Sequence, residues 1–150
     1  CHREPGPDAR KPPRSSDKFI LLREYVYWDQ HDLHRRAFDA LTSPLGQQMS
    51  KYLYDDPKAA TKAAACLVCH ATDSAPTTPL AEKTAAQFSY ELGVNCQACH
   101  GPSTPWLAEH FKLAWRDRPA AEKFKDFHLT DLRDPAVRAK TCAGCHVGNA

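Results

Sequence analysis

The pentapeptide Cys66-Leu67-Val68-Cys69-His70 sets a pattern that recurs in Cys96-Gln97-Ala98-Cys99-His100 and in Cys142-Ala143-Gly144-Cys145-His146. In each copy two residues separate a pair of cysteines, and a histidine directly follows the second. This spacing is the signature of covalent c-type haem attachment. Two thiols within one helical turn can add across the two vinyl groups of one haem, and the next imidazole then lies at the iron as its proximal ligand. The sequence therefore predicts three haem c groups, attached at Cys66, Cys69, Cys96, Cys99, Cys142 and Cys145, with proximal ligands His70, His100 and His146.

Other uses of cysteine fit this pattern less well. A zinc site pairs two Cys-x-x-Cys groups, and its chemistry does not require a histidine after every pair. A thioredoxin-type site has one Cys-x-x-Cys near a βαβ unit, and the sequence contains no such unit. A disulfide between two cysteines separated by only two residues closes with difficulty, and this sequence would need three such disulfides. Haem attachment is therefore the interpretation that we carry forward.

The composition predicts one small helical domain. The 150 residues suffice for a single domain, and Lys+Arg 20 against Asp+Glu 18 excludes the basic excess of a nucleic-acid-binding protein. No stretch approaches the roughly 18 apolar residues of a transmembrane helix. Strand-forming residues are sparse, so we expect a mainly α fold with little or no β-sheet. Short helices and long loops are expected to wrap around closely packed c-type haems.

The beginning of the sequence allows two interpretations. Residues 1–18 are polar and Pro-rich and predict an extended arm, ahead of a multihaem domain over 19–150. Cys1 and His2 fit the tail of a fourth haem site, with Cys1 attaching the haem and His2 as proximal ligand. Seven cysteines leave one unpaired, so parity favours this fourth haem. Alternatively, Cys1 is lipidated after signal-peptide cleavage, which would bring the chain to a membrane.

Helical periodicity divides the chain into segments separated by turn residues. Ser43-Pro44 is predicted to break the first segment, and Gly93 to end the fourth as a C-cap. Asp134-Pro135 is predicted to begin the helix that carries the third motif. The other predicted helices span 19–41, 45–54, 58–69, 81–92 and 103–115.

The remaining histidines are candidates for the second axial position of each iron. His34 lies on the first predicted helix near its apolar face, and His110 is surrounded by apolar side chains. His31 shares the helix of His34, so the two can serve only different haems. His128 stands between two apolar residues. Met49 is the one methionine, and we expect it to pack rather than to bind iron.

Several stretches of the chain together resemble one family. They are 22–28 (LREYVYW), 32–38 (DLHRRAF), 93–102 (GVNCQACHGP), 131–135 (DLRDP) and 142–148 (CAGCHVG). On these residues the chain from Phe19 to Gly148 resembles the multihaem cytochrome c family. It is similar to the small tetrahaem electron carriers of ammonia oxidisers and to multihaem proteins of environmental bacteria.

The resemblance implies roles for particular histidines. His34 and His110 match positions that are typically distal ligands in the family. Family members tend to begin with a haem motif ahead of the Trp-containing helix, in agreement with Cys1 and His2. They usually continue to another ligand histidine beyond the last motif, which this sequence does not contain. The distal ligand of the His146 haem is therefore open: His128, another chain, or none.

Function follows from the ligands. An iron with two histidine ligands has no open position, so it passes electrons and binds no substrate. We therefore expect an electron-transfer protein rather than an enzyme, working with other redox proteins or a membrane electron-transfer complex and not with nucleic acid. Two alternatives stay open: a haem enzyme that reduces a small nitrogen or sulfur species, and a filament whose copies exchange ligands, with His2 or His31 acting in trans.

The chemistry of attachment also predicts a location. Haem is attached in this way outside the cytoplasmic membrane of bacteria. We therefore expect an exported protein, in the periplasm or on the extracellular face of a membrane. Direct membrane contact would require lipid on Cys1, and otherwise a partner protein.

Overall fold

Short helices joined by turns make up the described part of the chain, which is residues 24–72 and 90–147 of a computed structural model. No β-strand occurs in these ranges, and the predicted mainly α class is confirmed. None of the helices described is long and apolar enough to cross a membrane. The predicted arm lies outside these ranges, as do Cys1 and His2. The helices are α1 (Glu24–His31), α2 (Asp39–Thr42), α3 (Pro44–Tyr54), α4 (Ala64–His70), α5 (Cys96–His100), α6 (Leu113–Asp117), α7 (Ala120–Phe127) and α8 (Pro135–His146).

The single helix predicted for 19–41 is wrong within the described residues. α1 ends at His31, and Asp32 adopts an extended backbone with φ −87° and ψ 128°. The Asp32 side chain accepts a hydrogen bond from the His34 N–H, so it caps a new 3-10 turn over Leu33–Arg36. Aspartate interrupts helices in this way because its carboxylate competes with the backbone acceptors. His31 and His34 therefore lie on different elements rather than on one helix.

The break predicted at Ser43-Pro44 is confirmed. Ser43 is extended, and its Oγ accepts a hydrogen bond from the Gly46 N–H at 3.0 Å. Pro44 occupies the first turn of α3, where a missing N–H costs nothing. Local cap chemistry alone therefore separates α2 from α3.

Met49 does not pack in the protein core of the described residues, because its side chain is 55% exposed. The face of α3 that is buried carries small residues. A Cβ on Gly46 would lie 2.2 Å from the Ala40 carbonyl oxygen, and Ser50 is 1% exposed. These close backbone approaches decide which face of α3 is buried. The face left exposed carries Leu45, Met49, Tyr52 and Leu53.

Buried Ser50 also explains why the helix predicted for 58–69 is divided. The Ser50 Oγ donates to the Asp56 carbonyl at 2.6 Å and accepts from the Ala60 N–H at 2.9 Å. The chain forms a 3-10 turn over Ala59–Thr61 at this point. Ala63 is then extended, and α4 begins directly after it.

The helix predicted for 103–115 is largely a series of turns. His110 Nδ1 lies 2.7 Å from the Leu107 carbonyl oxygen. In a regular helix that carbonyl would accept the N–H four residues later, so the side chain competes with helix continuation. The regular helix α6 begins only at Leu113. α7 was not predicted, although Ala120, Phe124 and Phe127 have helical spacing.

Gly93 holds the first part of the chain against the segment that leads to α5. Its N–H donates to the Tyr90 carbonyl at 2.9 Å with φ +64°, as a C-cap glycine requires. The next residue, Val94, donates to the His34 carbonyl at 2.8 Å and accepts from buried Trp28 Nε1 at 2.9 Å. The preceding segment, 81–89, lies outside the described residues.

We expect Gly93→Ala to destabilise the fold. The left-handed backbone costs a residue with a Cβ about 1–2 kcal/mol, and this Cβ would also lie 2.5 Å from the His34 carbonyl oxygen. Denaturant unfolding measures the loss. The control is Gly144→Ala, where an added Cβ meets nothing within 4 Å and improves helix propensity. Equal stability of the two variants would contradict this account of Gly93.

Candidate functional site

Each of the three motif histidines is the last residue of a helix. α4 ends at His70, α5 at His100 and α8 at His146. Within each helix the two cysteines stand three residues apart, so they lie on neighbouring positions of one face. The histidine follows on the next position, as the attachment chemistry predicted from the sequence requires.

The third motif lies beside both of the others. The Cys145 Sγ is 3.8 Å from the Val68 carbonyl oxygen, and the Cys145 thiol interacts with that of Cys69. On the same helix, Cys142 interacts electrostatically with Cys99. The structure therefore brings α4 and α8 together at their motifs, and the α5 cysteines are near enough to interact electrostatically with those of α8. The six cysteines of these motifs form no disulfide among the described residues.

The local environment of three motif thiols favours their uncharged form. Desolvation raises the pKa of the Cys96, Cys99 and Cys145 thiols above the ordinary value for cysteine. Thioether formation places sulfur on one vinyl carbon and hydrogen on the other, and a thiol supplies both atoms. The environment of these thiols is therefore compatible with thioether formation.

Two motif histidines have surroundings that favour the neutral imidazole, which is the form that binds a metal. His70 Nδ1 lies 2.7 Å from the Ala37 carbonyl oxygen, which can only accept, so Nδ1 carries the proton and Nε2 can face a metal. Desolvation of the ring lowers the pKa of His100, which favours the neutral imidazole that coordinates metals. Neither the Ala37 contact nor the desolvation of His100 had a signal in the sequence.

The ring of His34 lies against that of His146. Their centroids are 5.9 Å apart and the ring planes are nearly perpendicular, at 88°. His34 Nδ1 is 2.9 Å from Asp32 Oδ1. As in His70, Nδ1 therefore carries the proton of the neutral ring, and Nε2 is the nitrogen that can bind a metal. The sequence interpretation did not consider His34 as the partner of His146, because no spacing relates the two residues. The Asp-x-His pattern was visible, but the role of Asp32 was not recognised.

His110 lies on the turns that follow the second motif. The centroid of its ring lies 5.5 Å from that of Trp106 and 5.8 Å from that of Phe111, and both contacts are edge-to-face. The bond from Nδ1 to the Leu107 carbonyl fixes the orientation of the ring. The predicted apolar surroundings of His110 are therefore present.

His128 and His31 lie in different settings. His128 is exposed and left-handed, with φ 58°, and its N–H caps α7. A Cβ on Gly101 would lie 2.3 Å from the His128 carbonyl oxygen, so the backbone of His128 packs on the second motif. His31 is exposed at the end of α1, where its ring is 5.5 Å from Tyr27.

The packing of the described residues fits a chain that builds its core around macrocycles. Few apolar side chains are buried, and many large ones are exposed. The Nε1 of Trp106 and the Nε of Arg118 are buried donors that find no acceptor among the described residues, and haem propionates are acceptors of the kind they need. Within the same ranges, no three His, Cys, Asp or Glu side chains converge on a metal-ion site. The residues present therefore fit haem. The buried apolar residues are Trp28, Leu41, Ala60, Ala71 and Trp115.

Residues 22–101 match the family model described as cytochrome c554 and c-prime. The match covers more than half of the 150 residues and includes His34 and the first two motifs. The third motif lies beyond it. No curated protein and no solved structure matches the chain significantly.

Proposed function

Because the chain belongs to the cytochrome c554 and c-prime family, we propose that it is a multihaem cytochrome whose irons carry two histidine ligands and pass electrons between redox partners. Membership of the family establishes haem c binding and an electron-transfer role. The number of haems and their ligands belong to our proposal. So does the closer likeness to the tetrahaem carriers of ammonia oxidisers.

The contact between His34 and His146 is the observation that carries the proposal. Two metal–imidazole bonds of about 2 Å each, plus the distance from each nitrogen to its ring centre, separate two ring centres by about 6 Å. The observed 5.9 Å agrees with that separation. Perpendicular ring planes are compatible with two imidazoles on one axis. We therefore propose His34 as the distal ligand of the His146 haem.

Axial ligation by two histidines determines what such a centre can do. With both axial positions filled, the iron has no position for a substrate, and the haem supplies one-electron chemistry alone. The contact of Cys145 with Val68, which directly precedes Cys69, supports close spacing of the haems at the first and third motifs. Since electron tunnelling falls steeply with distance, such spacing favours a conduit.

Spin state tests the proposed function. EPR and optical spectra of the oxidised protein should show a low-spin signal for every haem, unchanged by cyanide or nitrite. A high-spin ferric fraction that binds either anion would favour the reductase instead. Low-spin signal that disappears on dilution would favour ligands supplied by another copy.

His110→Ala is expected to convert one haem to high spin, because it removes the imidazole proposed as a distal ligand. The matched control is Leu107→Ala, which keeps the carbonyl that His110 Nδ1 contacts. EPR of the two ferric proteins makes the comparison. Unchanged low-spin signals in His110→Ala would remove His110 from the ligands.

The remaining parts of the proposal concern location, partners and the first residues of the chain. Members of the cytochrome c family are typically exported, and we propose the same here, with other redox proteins or a membrane complex as partners. His128 and His31 stay candidates for further ligation. Cys1 and His2 stay candidates for a fourth haem, with lipid on Cys1 as the alternative. The intact mass separates those two, because haem and lipid add different masses.

A further inference from the structure

The carboxylate of Asp32 makes two hydrogen bonds to one residue. Its Oδ1 accepts from the backbone N–H of His34 at 2.9 Å, and the same oxygen lies 2.9 Å from His34 Nδ1. The first bond caps the turn Leu33–Arg36. The second bond fixes the tautomer and orientation of the imidazole. The proposed function makes no use of this second bond.

Asp32 differs from the Nδ1 partners of two other site histidines. His70 and His110 direct Nδ1 to the backbone carbonyls of Ala37 and Leu107, which are neutral acceptors. A carboxylate attracts the Nδ1 proton more strongly than a carbonyl does. The opposite nitrogen then becomes a more basic ligand, and this effect tunes metal centres.

One basic residue of the turn, Arg35, is engaged with other partners. Arg35 Nε bonds to Asp29 Oδ1 at 3.2 Å, and its Nη1 donates to the Glu91 carbonyl at 2.7 Å. The ion pair that Arg35 makes is therefore with Asp29. Asp29 and Asp32 are thus two carboxylates of one short segment, with different partners.

We propose that Asp32 is a positioning residue that orients His34 and lowers the reduction potential of the haem to which His34 is bound. The proposal rests on the proposed function, since it takes His34 as an iron ligand. A more basic imidazole stabilises ferric over ferrous iron, so the potential falls.

Asp32→Asn removes the charge and keeps an oxygen acceptor. Asparagine caps helical turns as well as aspartate does, so we expect the fold to be retained. The matched control is Asp29→Asn, which removes the same charge three residues earlier without touching His34. The measurement is a redox titration followed by EPR, observing the low-spin signal that is absent from His34→Ala.

We expect the midpoint potential of that haem to be higher in Asp32→Asn than in Asp29→Asn. A tenfold change in the ratio of oxidised to reduced haem corresponds to about 59 mV for one electron. Asp32→Ser, which also caps the turn, should shift the potential in the same direction. Because Asp32→Asn and Asp32→Ser both remove the charge, a higher potential in either one would support the proposal if the other folded poorly.

The outcomes separate this proposal from the proposed function. If His34→Ala produces a high-spin haem while both Asn variants have the same potential, Asp32 has no tuning role and the ligation stands. If His34→Ala leaves every haem low-spin, the ligation fails and the proposal for Asp32 fails with it. A lower potential in Asp32→Asn would also overturn the proposal.

Discussion

His34→Ala is expected to convert one haem from low spin to high spin. The substitution removes the imidazole whose ring lies 5.9 Å from that of His146, and alanine offers no atom that can bind iron. One axial position then opens, so cyanide should bind to this variant and not to the parent protein. EPR of the ferric protein, recorded with and without cyanide, measures both effects.

The matched control for His34→Ala is Leu33→Ala. Leu33 begins the same 3-10 turn and is 81% exposed, so its truncation tests for damage to the turn alone. We expect all haems of Leu33→Ala to stay low-spin. Identical spectra from the two variants would refute ligation by His34.

Replacing both cysteines of the third motif should have the second large effect. Cys142→Ala combined with Cys145→Ala removes both thioether bonds to one haem, so the intact mass should fall by one haem. We also expect a lower midpoint in thermal or denaturant unfolding, because Cys145 contacts Val68 of the first motif and the lost haem would leave α8 without its covalent anchor. The first two motifs keep their cysteines and should keep their haems.

Gly144→Ala provides the control for the double cysteine variant. It alters the same motif while keeping both thiols, and its added Cβ meets nothing within 4 Å. Its haem content should equal that of the parent protein. If the double variant also retained the parent mass, covalent attachment at the third motif would be disproved.

The parts of the fold that depend on local chemistry could be predicted from the sequence. Ser43-Pro44 and Asp134-Pro135 mark the beginnings of α3 and α8 as expected, because a cap needs only its own neighbouring N–H groups. The prediction failed where a side chain competes for a backbone hydrogen bond. Asp32 ends the first helix early in this way, and His110 interrupts the helix predicted for 103–115.

The candidate site, too, could be predicted from the sequence only where its residues are neighbours in the chain. The attachment motifs are contiguous in sequence, so their chemistry could be recognised without a structure. The contact of His34 with His146 joins residues far apart in the chain, and no periodicity encodes it. The exposure of Met49 could not be predicted from the sequence either, because it follows from the close approach of Gly46 to α2.

The intact mass of the purified protein under denaturing conditions tests the central claim most directly. Thioether bonds survive denaturation, whereas haem held only through its iron is lost. We predict a mass that exceeds that of the polypeptide by at least three haems, with one more if Cys1 belongs to a fourth site. A mass equal to that of the polypeptide alone would contradict covalent haem at the three motifs, and with it the proposed function.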